Sequence, residues 1–204
     1  MDACIRNVYI TFILGLIILA GFILLYHRNS SRLPTNNIWI YIAVFIVSLI
    51  LIFILGKMSF GIGKILISII FLALLAYIFY PLVASLTSSE LWKFVLITAI
   101  YFAILSIIVF ILPISTFASW GNILFILLLL LIIFGIFGSI LFRNSPQFRL
   151  VFYILILIVF SGLILYDTHR IANKCPQTDS INSALSLVLD AVNVFGATSG
   201  IGTL

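Results

Sequence analysis

Seven apolar runs dominate this chain, and each is long enough to cross a ~30 Å hydrocarbon core as an α-helix. They cover roughly residues 7–26, 38–56, 63–86, 91–112, 119–142, 148–172 and 181–203, with short segments between them. In lipid every backbone polar group must be satisfied within the structure, which leaves only helices and closed barrels. The runs show no apolar/polar alternation, so they read as helices. The expected fold is an all-α polytopic membrane protein of seven transmembrane helices, with residues 1–204 as a single domain. Hydrophobic residues make up 65% and charged residues 7%, against about 45–50% and about 25% in soluble domains. A soluble globular protein is thereby excluded. The net charge of +5 is scattered over short loops, with no basic run of the kind nucleic acid requires. The lipid bilayer is the expected partner.

Turn and cap chemistry punctuates the runs. Thr87-Ser88-Ser89-Glu90 has capping-box spacing and should start the fourth helix. Pro113 should end that helix, Asn144-Ser145-Pro146 should turn the chain into the sixth, and Asp179 or Ser180 should cap the seventh. Trp39, Trp92 and Trp120 fall at predicted span ends, as interfacial anchors do. Orientation is a tie. Arg6, Lys57, Lys64, Arg170 and Lys174 lie on the N-terminal side, and Arg28, Arg32, Lys93, Arg143 and Arg149 on the other. The first run reads as a span rather than a cleavable signal. Cys4 and Cys175 are both juxtamembrane on the N-terminal face and are expected as reduced thiols, with Cys4 a weak palmitoylation candidate. The sequon Asn29-Ser30-Ser31 abuts the membrane and is expected to stay unmodified.

Segments one to five are nearly uniform in Ile, Leu, Phe and Val, which suits lipid contact. The seventh is different. Ser183, Ser186, Asp190 and Asn193 recur at three- and four-residue steps and share one stripe, while Leu185, Leu189 and Val192 lie opposite. Gly196 and Gly200 have small-xxx-small spacing. A helix this polar needs protein around it, so the C-terminal helix is expected to be enclosed by the other six.

Two carboxylates stand inside these last helices, Asp167 and Asp190. Ionisable groups at such positions are expensive and point to function. Asp167 lies about two turns before the Pro176 loop and Asp190 about three turns after the cap, so antiparallel packing sets them at similar depth. In low dielectric such a pair tends to share a proton, which makes it pH-responsive, and its oxygens could attract Ca²⁺. Plainer readings stand beside this one. Asp167 could pair with Arg170 on its own helix, and Asp190 could be satisfied by Asn193 or by backbone groups. Lys57 could snorkel to the interface or turn inward to the carboxylates. His169 reads as interfacial, and Ser199 as a packing residue rather than a nucleophile. Gly61-Ile62-Gly63-Lys64 is not a phosphate loop, because Met58 stands where its first glycine belongs. No His/Cys metal spacing is present, and neither enzymatic activity nor a resident cofactor is expected.

Phe160-Ser161-Gly162-Leu163-Ile164-Leu165-Tyr166-Asp167-Thr168-His169-Arg170-Ile171 resembles the signature of the transmembrane Bax inhibitor motif family, Bax inhibitor-1 type. Ala184 through Phe195, with Leu189-Asp190 and Asn193-Val194-Phe195, is similar to its second block; Tyr80-Pro81-Leu82 and Phe117 through Phe125 also fit. The resemblance implies seven helices with the last one central, and a cytosolic N-terminus. It implies a pH-sensitive calcium leak gated by Asp167 and Asp190, with calcium as transported ion and Lys57 as the candidate basic partner ahead of Arg170. It further implies suppression of apoptosis in endoplasmic reticulum or Golgi membranes, with apoptosis-regulating or calcium-channel membrane proteins as partners. The alternative it leaves open is an anti-apoptotic interaction protein without ion conduction. Tyr166-Asp167-Thr168-His169 looks most like the Golgi anti-apoptotic branch and its viral relatives. The family's charged Lys-x-Asp-Phe stretch is Ile114-Ser115-Thr116-Phe117 here, and the basic tail of some members is unmatched, so tail-dependent regulation is not expected.

Overall fold

A computed structural model describes residues 3–29, 38–111, 117, 119–142, 145–175 and 179–204. Ser30 and Ser31 of the sequon, Pro113, Ile114-Ser115-Thr116, Asn144 and Pro176 lie outside the described residues. Among those described there are seven α-helices and no strand: α1 (Ala3–Arg28), α2 (Ile38–Lys57), α3 (Ile62–Ala84), α4 (Ser88–Ile111), α5 (Trp120–Leu141), α6 (Pro146–Lys174) and α7 (Ser180–Gly202). All seven are long and apolar enough to cross a membrane, so this is a multi-pass membrane protein. The largest departure from the expected bounds is the start of α1, which takes in Cys4-Ile5-Arg6. Hydropathy marks where hydrocarbon begins, whereas a helix continues through a polar interfacial turn at little cost.

Local chemistry accounts for the helix starts. Thr87 and Glu90 close a reciprocal capping box: the Thr87 amide donates to Glu90 Oε2 at 2.9 Å and the Glu90 amide to Thr87 Oγ1 at 3.3 Å. Ser145 caps α6 by accepting from the Phe148 amide at 3.2 Å, with Pro146 at the first helical position, where a missing N–H does no harm. Asp179 caps α7. Its Oδ1 accepts from the amides of Ile181 at 2.8 Å and Asn182 at 3.4 Å, and its carbonyl takes the first helical bond, from Ser183.

The chain forms two units, Met1–Leu91 with Pro176–Val188, and Trp92–Cys175 with Leu189–Leu204. In the first unit α3 packs against both α1 and α2. A tyrosine cluster joins them: Tyr41 stacks on Tyr77 at 5.4 Å, Tyr26 meets Tyr77 edge-on at 5.9 Å, and the Tyr26 hydroxyl donates to the Ala73 carbonyl at 3.0 Å. In the second unit α5 and α6 run antiparallel with glycines set against bulky side chains. A Cβ on Gly121 would stand 2.6 Å from the Tyr166 hydroxyl, one on Gly162 2.6 Å from Leu124, and one on Gly135 2.7 Å from the Phe152 ring. Only glycine permits this approach. On α4, Tyr101 bonds Ser161 of α6 at 2.6 Å, and Thr98 lies 3.4 Å from Thr198 of α7.

Burial singles out α7. Within its most apolar window 61% of residues are buried, against 11–33% in the other six helices, so the C-terminal helix is the enclosed one, as its polar stripe requires. The cysteines depart from expectation: neither Cys4 nor Cys175 is a free thiol. Two isolated cysteines at span ends carry no spacing signal of a bridge, so the sequence offered no warning.

Candidate functional site

Asp190 is 3% exposed, and its Oδ2 has no hydrogen-bond partner among the described residues. The half-buried Asp167 of α6 acts on it electrostatically. Both carboxylates belong to the second unit, and they are the two that the sequence singled out. The stripe around Asp190 is only partly buried. Ser183 is fully enclosed, its hydroxyl without a partner among the described residues, whereas Ser186 and Asn193 are half-buried. The Asn193 amide donates to the Leu189 carbonyl at 2.8 Å, so it serves its own helix rather than Asp190.

Two further buried hydroxyls, which sequence reasoning passed over, belong to the same unit. Thr168 is 1% exposed, and neither its Oγ1 nor the buried Oγ of Ser106 on α4 has a hydrogen-bond partner among the described residues. Gly202 meets Phe94 and Thr198 meets Thr98, so α4 and α7 run antiparallel. Continued along both helices, that register brings Ser106 to the depth of Asp190. Thr168 was legible, since it follows Asp167 directly. Ser106 was hidden, because a single serine in an apolar run carries no sign of which face it occupies.

Chemically, an open buried carboxylate oxygen with a second carboxylate acting on it is a hard-oxygen environment, suited to a proton or a hard cation. The described residues contain no group of three or more His, Cys, Asp or Glu that could hold a metal. Two carboxylates with neutral oxygens favour weak, transient occupancy over tight storage, because affinity follows ligand charge.

The basic candidates lie as follows. Lys57 is exposed at the end of α2, its Nζ 5.8 Å from the centroid of the Phe53 ring. Arg170 is half-buried, with its Nε enclosed and without a hydrogen-bond partner among the described residues. Among the described residues the buried lysine is instead Lys64, 1% exposed in the first turn of α3, whose Nζ meets Asp179 Oδ2 at 2.8 Å and the Met58 carbonyl at 3.0 Å. Burial pushes the Asp179 carboxyl up, but the Lys64 hydrogen bond and charge and the capped amides outweigh it and hold the group below the usual carboxylate range. Sequence reading recognised the cap and missed the pair, because the two residues lie 115 positions apart. His169 is buried with its ring against Phe117, and the Ser199 hydroxyl donates to the Phe195 carbonyl at 2.7 Å, as a packing serine does.

The chain is similar to the Golgi anti-apoptotic proteins of vaccinia virus strains Lister, LC16m0 and LC16m8, each 33% identical over 79 residues. Those alignments cover 39% of this chain and 32% of each relative, so the matched part spans about a third of their length. A family model described as inhibitor of apoptosis-promoting Bax1 matches residues 1–198. With seven membrane-spanning helices, a buried α7 and a match along nearly its whole length, the chain belongs to the Bax inhibitor-1 family.

Proposed function

We propose that the chain is a pH-sensitive cation leak of an intracellular membrane, with Ca²⁺ as the transported ion, that modulates calcium stores and suppresses apoptosis. The supporting observation is Asp190, buried in α7 with one carboxylate oxygen unpartnered and Asp167 acting on it. Ionised, the pair attracts a divalent cation. Sharing a proton, it loses charge and binds its surroundings differently, which shifts the packing of α7. Family membership supports the membrane setting, and the names of the vaccinia relatives support apoptosis suppression at the Golgi. Residence in the endoplasmic reticulum and a cytosolic N-terminus belong to the same proposal.

The test is Ca²⁺ efflux from liposomes holding the purified chain, followed against pH. Asp167→Asn and Asp190→Asn are each expected to abolish the pH dependence and change the flux several-fold. Flux that ignores both substitutions would sink the aspartate mechanism.

One observation favours a second reading. The relatives' name speaks of apoptosis and the Golgi and not of conduction. An interaction protein acting on apoptosis-regulating or calcium-channel membrane proteins, its aspartates serving only helix packing, gives no flux in liposomes.

A further inference from the structure

Two charged side chains of the described residues are buried to 3% exposure or less, Asp190 and Lys64. A buried ammonium is a poor stabiliser. Replacing such a pair by apolar residues is often neutral or favourable, and its best-attested use is fixing the register of one element on another. Lys64 is built for that use. Its Nζ binds the Met58 carbonyl between α2 and α3 and the Asp179 carboxylate at the head of α7. Asp179 divides its oxygens: Oδ2 takes the lysine, while Oδ1 caps the helix through Ile181 and Asn182. One cation thus ties the first turn of α3, the turn before it and the first turn of α7.

We propose that Lys64 and Asp179 are positioning residues that fix the axial placement of α7 from its first turn. The same helix carries Asp190 about three turns farther on. As a control on ion flux, this tether rests on the leak reading above; as a restraint on α7, it does not.

The experiment compares the full-length protein in lipid nanodiscs with Lys64→Met, Asp179→Asn and the double variant, by amide hydrogen exchange and thermal melting. Asparagine still caps a helix but cannot form the ion pair. Lys64→Met leaves Asp179 near enough to solvent to be hydrated, so it folds even where Asp179→Asn strands the buried lysine. Each single variant is expected to speed exchange over residues 183–188 by about tenfold. The double variant should go no further than the larger single, and the melting temperature of Lys64→Met should hold or rise. Unchanged exchange in Lys64→Met, or single effects that multiply in the double, would overturn the proposal. So would a lower melting temperature with faster exchange throughout α3, which marks a plain stabiliser. In liposomes both singles should raise Ca²⁺ efflux several-fold. A native protein without flux refutes the leak reading and leaves the exchange result to decide the tether.

Discussion

Asp179 shows how one carboxylate can hold a cap and a counter-ion together, and its ionisation makes the arrangement testable by pH. Its pKa in the folded protein lies below the usual carboxylate value. The stabilisation from the Lys64 bond is therefore fully present above that usual value and is lost as pH falls through the lowered one. Amide exchange in the first turn of α7 should hold steady through the neutral range and rise only in strong acid. In Asp179→Asn it should be insensitive to the same acidification. A rise beginning near neutrality would mean that another group controls this helix end. Asp190 is a contrasting case, with Oδ2 unpartnered and two hydroxyls, Ser106 and Thr168, also unpartnered in the same unit. Thr168→Val keeps shape and removes the oxygen. Under the leak reading it should lower Ca²⁺ efflux while leaving the unfolding free energy within about 1 kcal/mol of native.

Among the elements, the tightest seam is α5 on α6, where glycines of each helix admit side chains of the other. Gly135→Ala would drive a Cβ to 2.7 Å from the Phe152 ring, so the ring or the backbone must move. Overpacking of this kind costs about 1–3 kcal/mol, which a melting curve in detergent resolves; an unchanged curve would show that the seam yields freely. None of this pairing was visible in the sequence. The number of helices was legible from hydropathy, the heads of α4 and α6 from Thr87, Glu90, Ser145 and Pro146, and the enclosure of α7 from its serines, Asp190 and Asn193. Segments one to five could not be oriented, because residues that are apolar on every side leave no periodicity to mark the inner face. The inward turn of Ser106, the glycine–ring contacts and the burial of Lys64 all fall in those segments or depend on partners far away in sequence.

For the whole molecule, the question is whether cell protection and conduction are one property. Expressed in cells facing a death stimulus, the native chain is expected to raise survival. Asp190→Asn, matched for abundance and membrane location, should lose most of that benefit under the leak reading and keep it if the chain acts through partners alone. Such matching is demanding because of how α7 reaches its place. Its mean hydropathy of 1.5 is the lowest of the seven spans, the others lying between 2.5 and 2.9. Synthesis proceeds from the N-terminus, so the span least inclined to enter lipid is made after α1–α6. Its insertion therefore depends on helices already in the bilayer to receive its carboxylate and hydroxyls. Substitutions in those earlier spans can fail as defects of biogenesis, with α7 left outside the membrane, before any change in the mature protein is felt.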